Sequence, residues 1–251
     1  MELLNRPVMV FVITFFLMWL ASWVGARISQ ARHTLVNEEL RSDFNMVQAA
    51  TLTLLGLIIG FSFSMATGRY DLRKNYEEAE ANAIGTEYVR TDLLPAPDAV
   101  KVKELLRQYT DLRMQWYSTR SLDDVKQINM ATAEMQNRLW AAVSGPGNAQ
   151  PTPVIALAVG GMNDVLNSQG YTQAAWWNRI PVGAWCLMFA IALLSNWLVG
   201  YGVRLPEQKL LMVLPVVIAV AFFLIADIDS PRGGVIRVHP QNLNSFRAGL
   251  K

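Results

Sequence analysis

The sequence predicts an all-α membrane protein, with four transmembrane helices per subunit and a helical cytoplasmic region between spans two and three. Three observations carry this. Apolar residues gather into four blocks of about 20 residues with almost no charge, the length a helix needs to cross a bilayer core. The second block, residues 46–66, runs into RYDLRKNYEEAEANAIGTEY with no helix breaker stronger than Gly68. The stretch between the second and third blocks has little strand signal and reads as successive helices. The expected segments are residues 1–66, 67–179, 180–229 and a polar tail, 230–251.

Composition points the same way. Hydrophobic residues make up 52% and charged residues 17%, and the mean hydropathy is +0.22. A net charge of +2 without a basic run argues against a nucleic-acid partner. The single cysteine, Cys186, excludes an internal disulfide and any multi-cysteine metal site, and its apolar setting reads as a buried, inert thiol. His33 and His239 are far apart and show no zinc spacing.

The first block is residues 7–26. Its apolar core exceeds a signal-peptide h-region and only Arg6 precedes it, so it reads as a retained span, although Val24-Gly25-Ala26 resembles a cleavage site. Trp19 and Trp23 suit an interfacial belt at its far end. HTLVNEELRSDF then reads as an amphipathic interfacial helix leading to the second span. Helices are expected at 69–92, 98–119 and 122–143. LLPAPD separates the first two, and SGPGNAQPTP at 144–153 is the strongest loop signal. Residues 154–177 resume as a helix despite Gly160, Gly161 and Gly170. The third span is 181–203, preceded by Trp176, Trp177 and Arg179 as interfacial anchors. The fourth is 210–228, with Pro215 as a kink. The tail is turn-rich, with a strand-like VIRV piece.

Four spans place both termini and the helical region on one side. Nine basic residues lie near the membrane on that side against five in the opposite loops, which makes it cytoplasmic.

No nucleophile elbow, phosphate loop or HExxH motif is present, so no enzyme is expected. The second span is more informative. Thr53, Gly56, Gly60 and Ser64 share one helical face, either for close helix packing or as a narrow polar stripe facing water. Leu54, Ile58, Phe61 and Met65 form an adjacent stripe, either for lipid and core contact or as a hydrophobic ring closing a pore. Spacing alone favours packing for either face. Beyond the membrane, Arg73 and Lys74 stand four residues before Glu77 and Glu78, which reads as a solvated face. In an oligomer, Arg73, Glu77, Glu80 and Glu87 would instead make charged rings along a conduit. Asp227 and Asp229 end the fourth span and need partners there. Arg232 and Arg237 are the near candidates, and an oxygen-rich cation site including Ser230 is the alternative. No other cofactor is expected.

The stretch LLGLIIGFSFSMATGRYDLRKNYEEAEANAIGTEYVRTDLLP, followed downstream by LIADIDSPRGGVIRV, resembles the bacterial bestrophin-like membrane proteins over nearly the whole chain. Similarity to bestrophins proper is more distant and rests on Leu54, Leu55, Gly56, Tyr70, Arg73 and Glu77. That likeness implies a pentameric ion channel with a hydrophobic neck on the second span, where Phe61 and Met65 would lie near the constriction. The Gly/Ser/Thr face would then pack between subunits. Two departures stand out. The proline near the start of the bestrophin second span is absent, and DIDSPRGG replaces the calcium-clasp sequence, so calcium gating and ion selectivity are not implied.

The leading expectation is therefore an oligomeric ion channel of the bacterial inner membrane, with lipid and further copies of the chain as partners. The alternative is a membrane-anchored sensor or scaffold whose helical region binds a partner. A transporter fits less well, because no internal repeat is visible.

Overall fold

The computed structural model describes residues 5–32, 38–203 and 210–250. Among these residues the chain forms eight α-helices and no strand: α1 Pro7–Arg32, α2 Glu38–Arg90, α3 Ala96–Ser118, α4 Leu122–Ala149, α5 Pro153–Trp177, α6 Val182–Gly202, α7 Leu210–Asp229 and α8 Gln241–Gly249. Four helices are long and apolar enough to cross a membrane, within Pro7–Gln30, Leu40–Leu93, Pro153–Gly202 and Leu211–Asp229. The second block and its charged continuation form one helix. α2 has 53 residues, about 80 Å at 1.5 Å per residue. Residues 33–37, where the expected interfacial helix starts, and the turn at 204–209 lie outside the described residues.

The chain packs as two units. The first comprises Met1–Arg69 and Arg179–Arg237, the second Tyr70–Asn178 and Val238–Lys251. In the first unit α1 packs against α6 and α7. Lipid tails give no hydrophobic drive between helices, so close approach and hydrogen bonds must hold the contact. Both are present at the α1–α6 crossing. A Cβ at Gly200 would overlap the Ser22 carbonyl oxygen, and one at Gly25 would overlap the Trp197 carbonyl oxygen. Ser22 Oγ lies between the Asn196 carbonyl (3.1 Å) and Asn196 Oδ1 (3.3 Å), and the Asn196 amide donates to Ala192 O at 2.8 Å. Phe222 of α7 meets Phe189 and Trp185 of α6 edge-on.

The second unit joins the aqueous half of α2 to α3, α4, α5 and α8 around a core that includes Ile84, Leu106, Tyr109, Leu139, Met162 and Leu243. Local signals start its helices. Ser121 Oγ accepts the Asp124 amide at the head of α4, and Thr152 Oγ1 accepts the Ile155 amide at the head of α5, with Pro153 next. Three expectations are corrected here. The loop at 144–153 shrinks to 150–152, because α4 continues through Gly145-Pro146-Gly147 to Ala149. Pro146 stands in the final turns, where it interrupts only the end of the helix. A Cβ at Gly147 would press on Val159 of α5 at 3.1 Å, so that turn also serves packing. VIRV is not a strand, since carboxylate bonds described below hold its backbone. Finally, the polar tail is not turn-rich throughout. It ends in α8, whose Leu243 is fully buried in the second unit.

Candidate functional site

The membrane part of α2 turns one line of side chains inward. Leu55, Ser62 and Ala66 are buried, at steps of seven and four residues. The two stripes singled out above lie off this line. Leu54 and Met65 are exposed, Phe61 is 64% exposed, and Ile58 is half-buried. Thr53, Gly56, Gly60 and Ser64 are exposed, and a Cβ at Gly56 or Gly60 would meet nothing. Thr53 Oγ1 donates to Ala49 O at 2.9 Å, and Thr67 Oγ1 to Phe63 O at 3.0 Å, so these hydroxyl protons stay within the helix. Both stripes are therefore surfaces that the single chain leaves uncovered. Cys186, expected to be buried, is exposed on α6. In a span apolar on every side, composition cannot separate an inward from an outward position.

The charged continuation of α2 behaves differently from the sequence reading. Arg73, Glu77, Glu80 and Glu87 are all buried within the second unit, so they form neither a solvated face nor rings exposed to a conduit. Two of them cap other helices. Arg73 Nε and Nη2 donate to Ala175 O and Asn178 O, both at 3.4 Å, at the C-terminal end of α5. Glu77 accepts the free first-turn amides of Asn242 (3.0 Å) and Leu243 (3.1 Å), and the Asn242 side chain at 2.7 Å. Each charge has the sign that complements its helix end.

Glu80 is the centre of a third arrangement. It pairs with Arg113 of α3, and both side chains are fully buried. Tyr117 Oη and Thr172 Oγ1 also donate to it, at 2.9 and 3.0 Å. Burial opposes the Arg113 charge, but Glu80 beside it more than offsets this and holds the guanidinium above its usual pKa. Burial, reinforced by the Glu80 charge, pushes the Tyr117 hydroxyl up, so it stays a donor. The guanidinium also faces Trp116, 4.6 Å from the ring centroid. Glu87 has no such partners. The spacing Glu77, Glu80, Ile84, Glu87 is a helical core stripe carrying three acids, and the partners that make it one lie far away in sequence.

At the end of α7, Asp227 and Asp229 are buried. Asp227 accepts the amides of Val235 and Ile236, both at 2.8 Å. Asp229 accepts the Ile180 amide (3.1 and 3.3 Å) and faces Arg179 Nε at 3.8 Å. Ser230 Oγ accepts the Gly233 amide at 3.1 Å. The oxygens of both carboxylates are turned to N–H donors. Among the described residues no three His, Cys, Asp or Glu side chains converge on a metal-sized space. The two acids form a backbone clasp, and Arg179 joins Asp229 as a partner the sequence reading did not name. The PRGG turn makes the clasp, because a Cβ at Gly234 would overlap the Asp227 carbonyl oxygen.

The fold and these sites define a multi-pass helical membrane protein whose long second helix carries buried caps at one end and uncovered stripes at the other. Residues 9–243 match the Bestrophin-like domain, and the chain belongs to that family. No curated protein matches it. Its fold is shared with solved structures of a bacterial Bestrophin homolog from Klebsiella pneumoniae. One is 15% identical with a TM-score of 0.66, covering 95% of this chain and 96% of the other. A single-residue variant of that homolog is 13% identical with a TM-score of 0.65 and 97% coverage of both chains.

Proposed function

We propose that this chain is one subunit of a homo-oligomeric ion channel in the bacterial inner membrane, with α2 lining the pore. The observation that carries this reading is the uncovered surface of α2 across the whole span, where only Leu55, Ser62 and Ala66 form the buried line. Phe61 and Met65 are large apolar side chains left outward on that span. Arranged around an axis, Leu54, Ile58, Phe61 and Met65 make stacked apolar rings that close by dewetting. Thr53, Gly56, Gly60 and Ser64 let the neighbouring subunit's helix approach closely. The buried caps at Arg73 and Glu77 keep the aqueous half of α2 helical and fixed within its own unit. The termini and the helical unit face the cytoplasm, and the channel performs no catalysis. The family's bacterial homolog of like fold supports the reading.

The test is ion flux through purified protein in liposomes or planar bilayers. Wild type should conduct, and Phe61→Ala should raise the current by removing a ring from the constriction. A protein with no conductance under any gradient or voltage, or a Phe61→Ala variant indistinguishable from wild type, would count against the pore assignment.

A further inference from the structure

Glu87 stands apart from the other buried charges of α2. It is 0% exposed, and neither carboxylate oxygen has a hydrogen-bond donor. It lies against α5 at Gly161, where a Cβ would overlap Glu87 Oε2 and stand 2.6 Å from Arg90 Nη1. No other residue type fits there without moving one of the two side chains. An ionised carboxylate without donors is disfavoured far more than the neutral acid in such a place.

Few charges act on it. From its own helix there is Arg90, whose Nη1 stands 4.0 Å from Asp164 of α5. Asp164 is the acidic neighbour on the other side of the contact. Lys103 of α3 pairs with Asp92 in the 3-10 turn Thr91–Leu93 that follows α2, and Arg107 of α3 donates to Tyr88. Arg247 of α8 is taken by Asp111 of α3. α4 contributes the apolar Leu139 and Val143 to the shared core.

We propose that Glu87 is a proton-binding site at the α2–α5 seam: its carboxyl is protonated while α5 lies against it at Gly161, and it ionises as that contact loosens. Proton release and opening of the seam are then one event. Burial pushes the Glu87 pKa up to about 8, with Arg90 opposing and Asp164 reinforcing the rise. The inference does not depend on the channel reading, since Glu87 and α5 both belong to the second unit.

Infrared difference spectroscopy of the full-length protein in detergent, titrated from about pH 5 to about pH 9, reads the site directly. The expected result is a protonated-carboxyl C=O band that survives to near pH 8 in wild type and is missing in Glu87→Gln. Hydrogen exchange of the α5 amides around Gly161, corrected for intrinsic pH dependence, should rise several-fold with the same midpoint in wild type and stay flat in the variant. The wild-type titration needs no substitution, so it stands even where the variant folds poorly. The proposal is overturned by three outcomes: carboxyl bands that all titrate in the ordinary range, a high-pH band that persists in Glu87→Gln, or a Glu87 band whose loss leaves α5 exchange unchanged.

Discussion

Gly200→Ala tests whether close backbone approach holds the first unit together. The new Cβ would overlap the Ser22 carbonyl oxygen and lie 2.6 Å from its carbonyl carbon and 2.8 Å from its Cα, against 3.4 Å for ordinary contact. These are backbone atoms of α1, so no rotamer change relieves the clash. The helices must separate by about an ångström, which forfeits a large part of each van der Waals well along the crossing. The Ser22–Asn196 contacts, already at 3.1 and 3.3 Å, would stretch beyond hydrogen-bond range. Overpacking costs about 1–3 kcal/mol and a lost interhelical bond in a membrane about 0.6 kcal/mol, against about 1 kcal/mol gained from alanine's helix propensity. A net loss of about 0.5–2.5 kcal/mol follows. Gly183→Ala on the same helix is the control, because its Cβ would meet nothing and only the propensity gain remains. Thermal or denaturant unfolding in one detergent should place Gly200→Ala below wild type and Gly183→Ala at or above it. Equal stability of the two variants would refute the argument that α1 and α6 are held by backbone proximity.

Three further predictions follow from the polar contacts. Arg113→Leu leaves Glu80 charged and buried and should lower stability by about 3–5 kcal/mol, while a double replacement of Arg113 and Glu80 by apolar residues should recover much of it in a double-mutant cycle. Asp227→Ala removes the acceptor of two amides and should speed hydrogen exchange at Val235 and Ile236 by about tenfold or more, with little change in α3 or α4. Glu87 has a folded pKa of about 8 above an ordinary 4.5, so its contribution is complete below about pH 4.5 and is lost as pH rises through about 8. The thermal midpoint of wild type should therefore fall over that window more steeply than that of Glu87→Gln. Parallel curves would remove Glu87 as the cause.

Much of the architecture was readable along the chain. Charge-free blocks, Pro181 at a helix start, and the lack of a strong breaker between the second block and its charged continuation are local signals, and each is realised as a helix or a boundary. The site residues were less legible. Arg73, Glu77, Glu80 and Glu87 have the spacing of a stripe, and charge suggested water on that stripe. The structure places them inside, because α3, α5 and α8 bring Arg113, Thr172 and two first-turn amides to meet them. Those partners lie between 33 and 166 positions away in sequence, beyond any local pattern. The Gly160-Gly161 pair looked like a weakness of α5. Gly161 instead makes room for Glu87 and Arg90, whereas a Cβ at Gly160 would meet nothing.

By itself the sequence determined that this is a helical membrane protein with four spans and one helix running through the second span into an aqueous segment. Bilayer thickness and backbone hydrogen bonding impose those features on any chain with such a pattern. Only the tertiary structure decided which faces are inward, that Glu77 caps α8 and Glu80 pairs with Arg113 rather than lining a surface, and that Asp227 holds the amides of Val235 and Ile236. Burial and hydrogen-bond partnership depend on which distant residues arrive at a position, and a helix period alone cannot say which of its faces they will meet.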